Sequence, residues 1–427
     1  MDGRVFHQLE RIRPMSPLLY AVPVFLGLIF VELLAAKWMG RTVYRFHDAI
    51  TSINIGLMSE CVRSLLKLMS VFVYAVVVEK VGAFTWDLAS PWVWIVAFFM
   101  YDFFYYWAHR AGHEINFLWA AHVVHHSSEE FNLSTALRQS STNQVFYWVF
   151  YLPMAIVGIP VSVFVLVALA SALYQFWVHT RLIPKLGWID LVFSTPSNHR
   201  CHHGRNPYCI DVNYGATLII WDRLFGTYVA ERDDEPVVYG TLAPLQSWNP
   251  VWANFKNYVG MVRDAWQAPR AGDKLMHVFA GPGWTASGPA VPEQGLANRY
   301  AVFETPSSTW QRVYGVVATV VVFALFMHLL MVAPGLSVAA RIGYGLLIAL
   351  NGITIGRLFA GQAHAIEWEA LRVALVFGAL AAGLWFTPVH ATVQAVAAFG
   401  MVLSLVLLAR ARGERGDAVA ALPGARA

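Results

Sequence analysis

Residues 91–114 read Pro91-Trp-Val-Trp-Ile-Val-Ala-Phe-Phe-Met-Tyr-Asp-Phe-Phe-Tyr-Tyr-Trp-Ala-His-Arg-Ala-Gly-His-Glu114. Between Pro91 and Trp107 the only charge is Asp102, and the run is long enough to cross a bilayer as a helix. It leads directly into His109 and His113. Their spacing of four sets both imidazoles on one helical face. The stretch therefore predicts a membrane helix whose end presents metal-binding side chains.

The surrounding chain supports that reading. Of 427 residues, 57% are apolar and 13% charged, with 14% aromatic and 17 Trp. Ordinary globular domains carry roughly 25% charged residues. Further apolar segments run over 17–36, 145–178, 313–332, 342–355, 373–386 and 388–408, while 50–81 is mixed: its first half, with Glu60, Arg63 and Lys67, is expected along the interface and its apolar half, 68–78, turned inward. The first keeps Glu32 and is followed by no small-residue cleavage site, so it reads as an anchor rather than a removed signal peptide. The charge-free run 145–178 is too long for one crossing. Pro153, Gly158 and Pro160 near its middle predict a helical hairpin. These features predict an all-α, polytopic integral-membrane helical bundle with a histidine-rich di-metal cap.

The expected organisation is N-terminal membrane helices over 1–85, a catalytic domain over 86–280, a linker over 281–310, C-terminal membrane helices over 311–410 and a disordered tail over 411–427. The polar stretch 180–309 and the N-terminal segment carry many Lys and Arg, which places the cap on the cytoplasmic side. A bacterial inner membrane is the expected setting. The net charge of +4, without a basic stripe, gives no reason to expect nucleic acid. Cys61, Cys201 and Cys209 form no C-x-x-C motif and read as free thiols.

Nine of the 15 histidines fall between 109 and 203. Eight form three clusters: His109 and His113; His122, His125 and His126; His199, His202 and His203. Each cluster directs two or three imidazoles to one side of a helix. Eight nitrogens exceed the need of one ion but suit two ions that each keep an open position. His179, which ends the hairpin, is a candidate ninth ligand. The remaining histidines read as ordinary polar residues.

A metal-bound imidazole usually donates its other N–H to an acceptor behind it. Asp102, two turns before His109, and Glu114, beside His113, are the expected acceptors. Glu129 and Glu130 read as a solvated helix end. A metal transporter would instead spread its histidines along a membrane path.

The three clusters resemble the H-x-x-x-H, H-x-x-H-H and H-x-x-H-H pattern of the fatty acid hydroxylase superfamily, also called the sterol desaturase family. The residues between them are most similar to its alkylglycerol monooxygenase branch. These are Tyr105 to Glu114, Asn132-Leu-Ser-Thr-Ala-Leu-Arg-Gln-Ser140, Tyr174 to Thr180, Gly204 to Asp211, Trp221 to Thr227 and Gly281 to Trp284. The resemblance covers roughly residues 40–290, and the C-terminal helices loosely.

It implies two iron ions, O2 as co-substrate, a lipid substrate and tetrahydrobiopterin as electron donor, with an ether lipid cleaved to a fatty aldehyde and a glycerol derivative. A fatty acyl, sterol-like or carotenoid oxidation driven by a redox partner protein is the alternative. Arg138, Gln139 and Asn143 are candidates to meet the pterin or a lipid head group. The hairpin and the helix before His109 are candidate walls of a lipid tunnel, with Tyr105, Tyr106 and Trp107 at its metal end. One departure stands out. Asn198 occupies a position where the family often carries a further histidine; either Asn198 replaces that ligand weakly or the role passes to His179.

Overall fold

The computed structural model describes residues 18–289 and 301–386, together with scattered helical positions between 399 and 410. The expected tail and most of the expected last apolar helix, 388–408, lie outside the described residues. Among the described residues the chain is mostly helical, with one two-stranded ladder between β1 (Trp284–Thr285) and β2 (Gly288–Pro289). That ladder falls within the segment expected to be a linker.

Helices α1 (Leu18–Trp38) and α2 (Phe46–Val81) precede α3 (Pro91–Glu114). Then come α4 (Asn116–His126), the short α5 (Leu133–Leu137), α6 (Asn143–Phe146), α7 (Leu152–Val157) and α8 (Val161–Trp177). The polar region supplies α9 (Pro196–His202), α10 (Ile220–Phe225), α11 (Pro250–Gln267) and α12 (Ala271–Phe279). The C-terminal helices are α13 (Thr309–Val332), α14 (Val338–Phe359) and α15 (Ala365–Phe386).

Among the described residues, four helices are long and apolar enough to cross a membrane: Ala21–Trp38, Phe46–Val81, Thr309–Val332 and Val338–Phe359. The protein is an integral membrane protein. Helix α3 forms as one continuous helix but is not among those four. The expected hairpin is present and turns at Gly158, whose φ of 90° is left-handed. A Cβ there would also collide with the Phe84 carbonyl, so only glycine fits. Its two arms, 143–157 and 161–177, are shorter than the roughly 20 residues that a crossing needs.

The described residues divide into two compact units that interleave in sequence. One holds Val62–Leu245 and Asn254–Val302 with the segment up to Tyr44; the other holds Arg45–Cys61, Gln246–Ala253 and the chain from Phe303 onward. All the clustered histidines lie in the first. Its apolar core joins Tyr74 and Ala75 of α2, Val93 and Ala97 of α3, Met154 and Ala155 of α7, and Val161, Val163 and Val167 of α8. The surfaces expected to wall a tunnel are thus, at this level, packed against each other. In the second unit, Tyr314, Ala318, Ile355, Leu358 and Phe359 form the core.

Candidate metal centre

The nine histidines converge as two groups. His109, His113, His122, His126 and His202 form the first; His125, His179, His199 and His203 form the second. Within each group, one nitrogen per ring lies within 4.8 Å of every other. Residue i and residue i+4 point the same way from a helix, whereas the intervening i+3 is displaced around it. On α4, His122 and His126 therefore face the first group while His125 faces the second. On α9 the assignment is reversed: His199 and His203 face the second group and His202 the first. The repeated H-x-x-H-H pattern is a device for addressing two points from one helix.

Local sequence fixes each element. Helix α9 starts at a capping box: the Thr195 backbone N–H donates to Asn198 Oδ1 at 3.1 Å, and Pro196 occupies the first turn. Asn198 Nδ2 donates to the Asp190 carbonyl at 3.2 Å. Asn198 thus caps the helix and is not in the cage, whereas His179 is. Arg200 ties α9 down by a bidentate pair with Glu231 at 2.8 and 2.7 Å. Glu32 of α1 accepts from Leu133 N at 2.8 Å and from the Thr180 hydroxyl beside His179.

The outer acceptors are mostly carbonyl oxygens. His109 Nδ1 donates to Tyr214 O at 2.8 Å, His202 Nδ1 to Val212 O at 2.8 Å, and His179 Nδ1 to Gln175 O at 2.8 Å. His125 Nδ1 lies 3.1 Å from Arg138 O. Asp211 and Asn213 have φ of 56° and 58°, a conformation that short polar side chains tolerate, and this turn carries the Val212 and Tyr214 carbonyls.

Both expected carboxylate acceptors need correction. Asp102 is buried but accepts from Thr217 N, Leu218 N and Trp221 Nε1 at 2.9–3.1 Å, so it holds the loop after those carbonyls rather than an imidazole. Its position two turns before His109 carries it past the cage. Glu114 is half exposed and pairs with Arg110 at 2.8 Å, one turn back on its own helix. The carboxylate near His113 is Asp211, whose Oδ1 is 3.4 Å from Nδ1. Asp222, fully buried, accepts from Tyr214 N, Gly215 N and the Thr227 hydroxyl at 2.7 Å each. Burial pushes its carboxyl up to about 6. Asp222 is a site residue that the sequence reading did not single out; its Asp-x-x-x-x-Thr spacing to Thr227 was the available signal.

Arg138 is 1% exposed and donates to the Ser127 hydroxyl at 3.1 Å. Gln139 lies 3.3 Å from His125 Nδ1, and Asn143 accepts from Gln144 at 2.6 Å. Arg138 and Gln139 thus brace His125. Glu129 and Glu130 are not a solvated end: Glu129 lies 3.7 Å from Arg205 and Glu130 pairs with Arg181. Tyr105 sits beside His109, with ring centroids 5.4 Å apart, but Tyr106 and Trp107 pack on Phe225. Tyr147 fits over α3 only because residue 112 is glycine; a Cβ there would strike its hydroxyl.

The donor set fits metal ions. A carbonyl can only accept, so His109 and His179 carry the proton on Nδ1 and present a lone pair on Nε2. His179 Nε2 faces His199 Nε2 at 2.9 Å and His125 Nε2 at 3.2 Å. One ring lone pair cannot accept from both, and a shared cation removes the conflict. In the first group, His122 Nε2 faces His109 Nε2 at 3.0 Å and His126 Nε2 at 3.1 Å. Nitrogens at about 2.1 Å from an ion, set at right angles, are about 3.0 Å apart. His113 Nε2 and His202 Nε2 are buried without a hydrogen-bond partner. Burial lowers the imidazole pKa throughout the cage, to about 4 for His179. The rings are therefore neutral at pH 7, the form that binds metal.

Comparison with known proteins agrees with this geometry. Residues 94–227 match the family model described as fatty acid hydroxylase. The chain is 38% identical over 364 residues to alkylglycerol monooxygenase of Xenopus tropicalis, covering 82% of this chain and 79% of that protein. The human alkylglycerol monooxygenase is 38% identical over 361 residues, covering 82% and 80%. An ornithine lipid hydroxylase, OlsE, of Rhizobium tropici is 33% identical over 135 residues, or 30% of this chain and 39% of its own. No solved structure matches.

Proposed function

The chain belongs to the alkylglycerol monooxygenase family of fatty acid hydroxylases, and from that premise we propose that it cleaves the ether bond of alkylglycerols. It is a membrane monooxygenase acting on lipid alkyl chains. In the proposed reaction one oxygen atom of O2 is inserted at the alkyl carbon next to the ether oxygen. Two electrons and two protons reduce the other atom to water. The resulting hemiacetal collapses to a fatty aldehyde and a free glycerol hydroxyl. Tetrahydrobiopterin is the proposed two-electron donor.

The observation that carries this reading is the division of nine neutral imidazoles into two adjacent groups. His109, His113, His122, His126 and His202 would hold one iron ion, and His125, His179, His199 and His203 the other. Such a pair supplies the oxygen activation that side chains cannot perform. The protein's residues fix the ring tautomers through Val212 O, Tyr214 O, Gln175 O and Arg138 O. They keep the rings uncharged by burial, and Trp119, Phe131 and Tyr214 exclude water around them. The reading also places the cage on the cytoplasmic face, of a bacterial inner membrane, with Asp102, Asp222 and Glu114 outside the first coordination shell.

Purified enzyme incubated with an alkylglycerol, O2 and tetrahydrobiopterin should release fatty aldehyde in proportion to pterin oxidised. Absence of aldehyde, with turnover of a fatty acyl or sterol-like lipid on addition of a reduced redox protein, would replace this reading with the alternative oxidation.

A further inference from the structure

Helices α11 and α12 belong to the polar stretch 180–309, yet they expose apolar side chains in register. On α11, Phe255, Val259, Val262 and Trp266 recur at i, i+4, i+7 and i+11 and are 50–82% exposed. On α12, Leu275, Met276 and Phe279 repeat the pattern at 42–61%. A surface helix in water turns such a stripe toward its core. Here the inward contacts are polar. Asn254 accepts from Ser141 N at 2.8 Å, Tyr258 donates to Thr142 at 3.1 Å, and the His277 carbonyl accepts from Asn116 at 2.7 Å. The amphipathicity is inverted relative to a soluble helix pair.

We propose that α11 and α12 lie in the headgroup–acyl boundary of the protein's own bilayer, with the stripe from Phe255 to Phe279 turned into lipid, and that the substrate's alkyl chain reaches the histidine cage from there past Phe279. Four helices among the described residues are long and apolar enough to cross a bilayer, so a lipid surface is always at hand. The charges of the two helices complement it. Lys256, Arg263, Arg270 and Lys274 against Asp264 and Asp273 make a net +2, and basic residues beside Trp favour anionic lipid surfaces. Lys274 Nζ lies 6.0 Å from the Trp266 ring centre, an apolar body with a charged tip.

A line of packed aromatic rings joins Phe279 to the cage and is the proposed route. Phe279 meets Phe117 of α4 at 5.6 Å between ring centres, and Phe117 meets Phe146 at 5.5 Å. The next residue, Tyr147, lies 6.3 Å from the His122 ring. The access route rests on the lipid-monooxygenase reading; the surface placement does not.

The test uses full-length protein in phosphatidylcholine bilayers, with and without phosphatidylserine. Nitroxide labels are attached to Val262→Cys, Leu275→Cys and, as a water-exposed control, Asp233→Cys. Native Cys61, Cys201 and Cys209 are buried and escape labelling. Labels at 262 and 275 should be relaxed mainly by dissolved O2, and the control mainly by a water-soluble nickel complex. Relaxation by nickel at all three, or shielding from both agents at 262 and 275 as in a contact between copies, would overturn the placement. For the access route, Phe279→Asp should keep wild-type metal content while raising KM for bilayer-borne lipid several-fold, with Phe279→Leu restoring it. An unchanged KM overturns the route. Failure of wild-type enzyme to turn over alkylglycerol would instead overturn the substrate reading and leave the depth result standing.

Discussion

His179 joins the second group from the end of α8 and bonds the Gln175 carbonyl through Nδ1. Replacing it with Ala leaves three imidazoles for the second ion. Metal content should fall by half and activity should vanish, measured by elemental analysis and aldehyde release. Asn198→Ala is the contrasting change. It removes the N3 half of the capping box that Thr195 begins, a loss of about 1 kcal/mol, so thermal stability should drop modestly while metal content stays. The titration of the cage gives a sign. The folded-state pKa of His179 lies near 4, below the ordinary value of 6.5. Unfolded chains thus take up protons that the native cage refuses, and stability is lost as pH falls from about 6.5 toward 4. Metal-free protein followed by denaturant melts across that window should show this loss; a flat profile would count against buried neutral rings.

At the level of elements, α3, α4 and α9 each deliver two or three ligands, and their relative placement depends on close approaches. Gly112 admits the Tyr147 hydroxyl over α3, between the two histidines of the first cluster. Gly112→Ala should cost about 1–3 kcal/mol by overpacking and lower kcat, with the protein still inserted in the membrane. Asp102 plays a similar part through the loop that follows Val212 and Tyr214. Asp102→Asn would set an amide against N–H donors, at a cost of about 1–3 kcal/mol. Its metal loss should be confined to the first group, since His109 and His202 lean on that loop and no second-group histidine does. Equal loss from both groups would contradict the assignment.

For the whole molecule, the sequence made the helical membrane character and all nine histidines legible, because hydrophobic runs and i, i+3 and i+4 spacings survive any tertiary arrangement. The hairpin turn was legible for the same local reason, at Gly158. What stayed hidden depends on packing. The division into five and four rings follows from how α3, α4 and α9 meet. The acceptors behind the rings are the backbone oxygens of Arg138, Gln175, Val212 and Tyr214, which any residue type could supply. Glu129 and Glu130 found Arg205 and Arg181 across long stretches of chain, so burial replaced the expected solvation. The outward stripe on α11 and α12 was masked because their region reads as polar on average.

In the proposed centre, nine histidines would hold two metal ions without a carboxylate ligand. Iron stoichiometry and iron K-edge X-ray absorption on anaerobically purified wild-type protein test it in one sample. The expected result is two irons per chain, one for each histidine group, with imidazole nitrogens dominating the atoms bound to iron. One iron per chain, or a pair bridged by carboxylate, would contradict it.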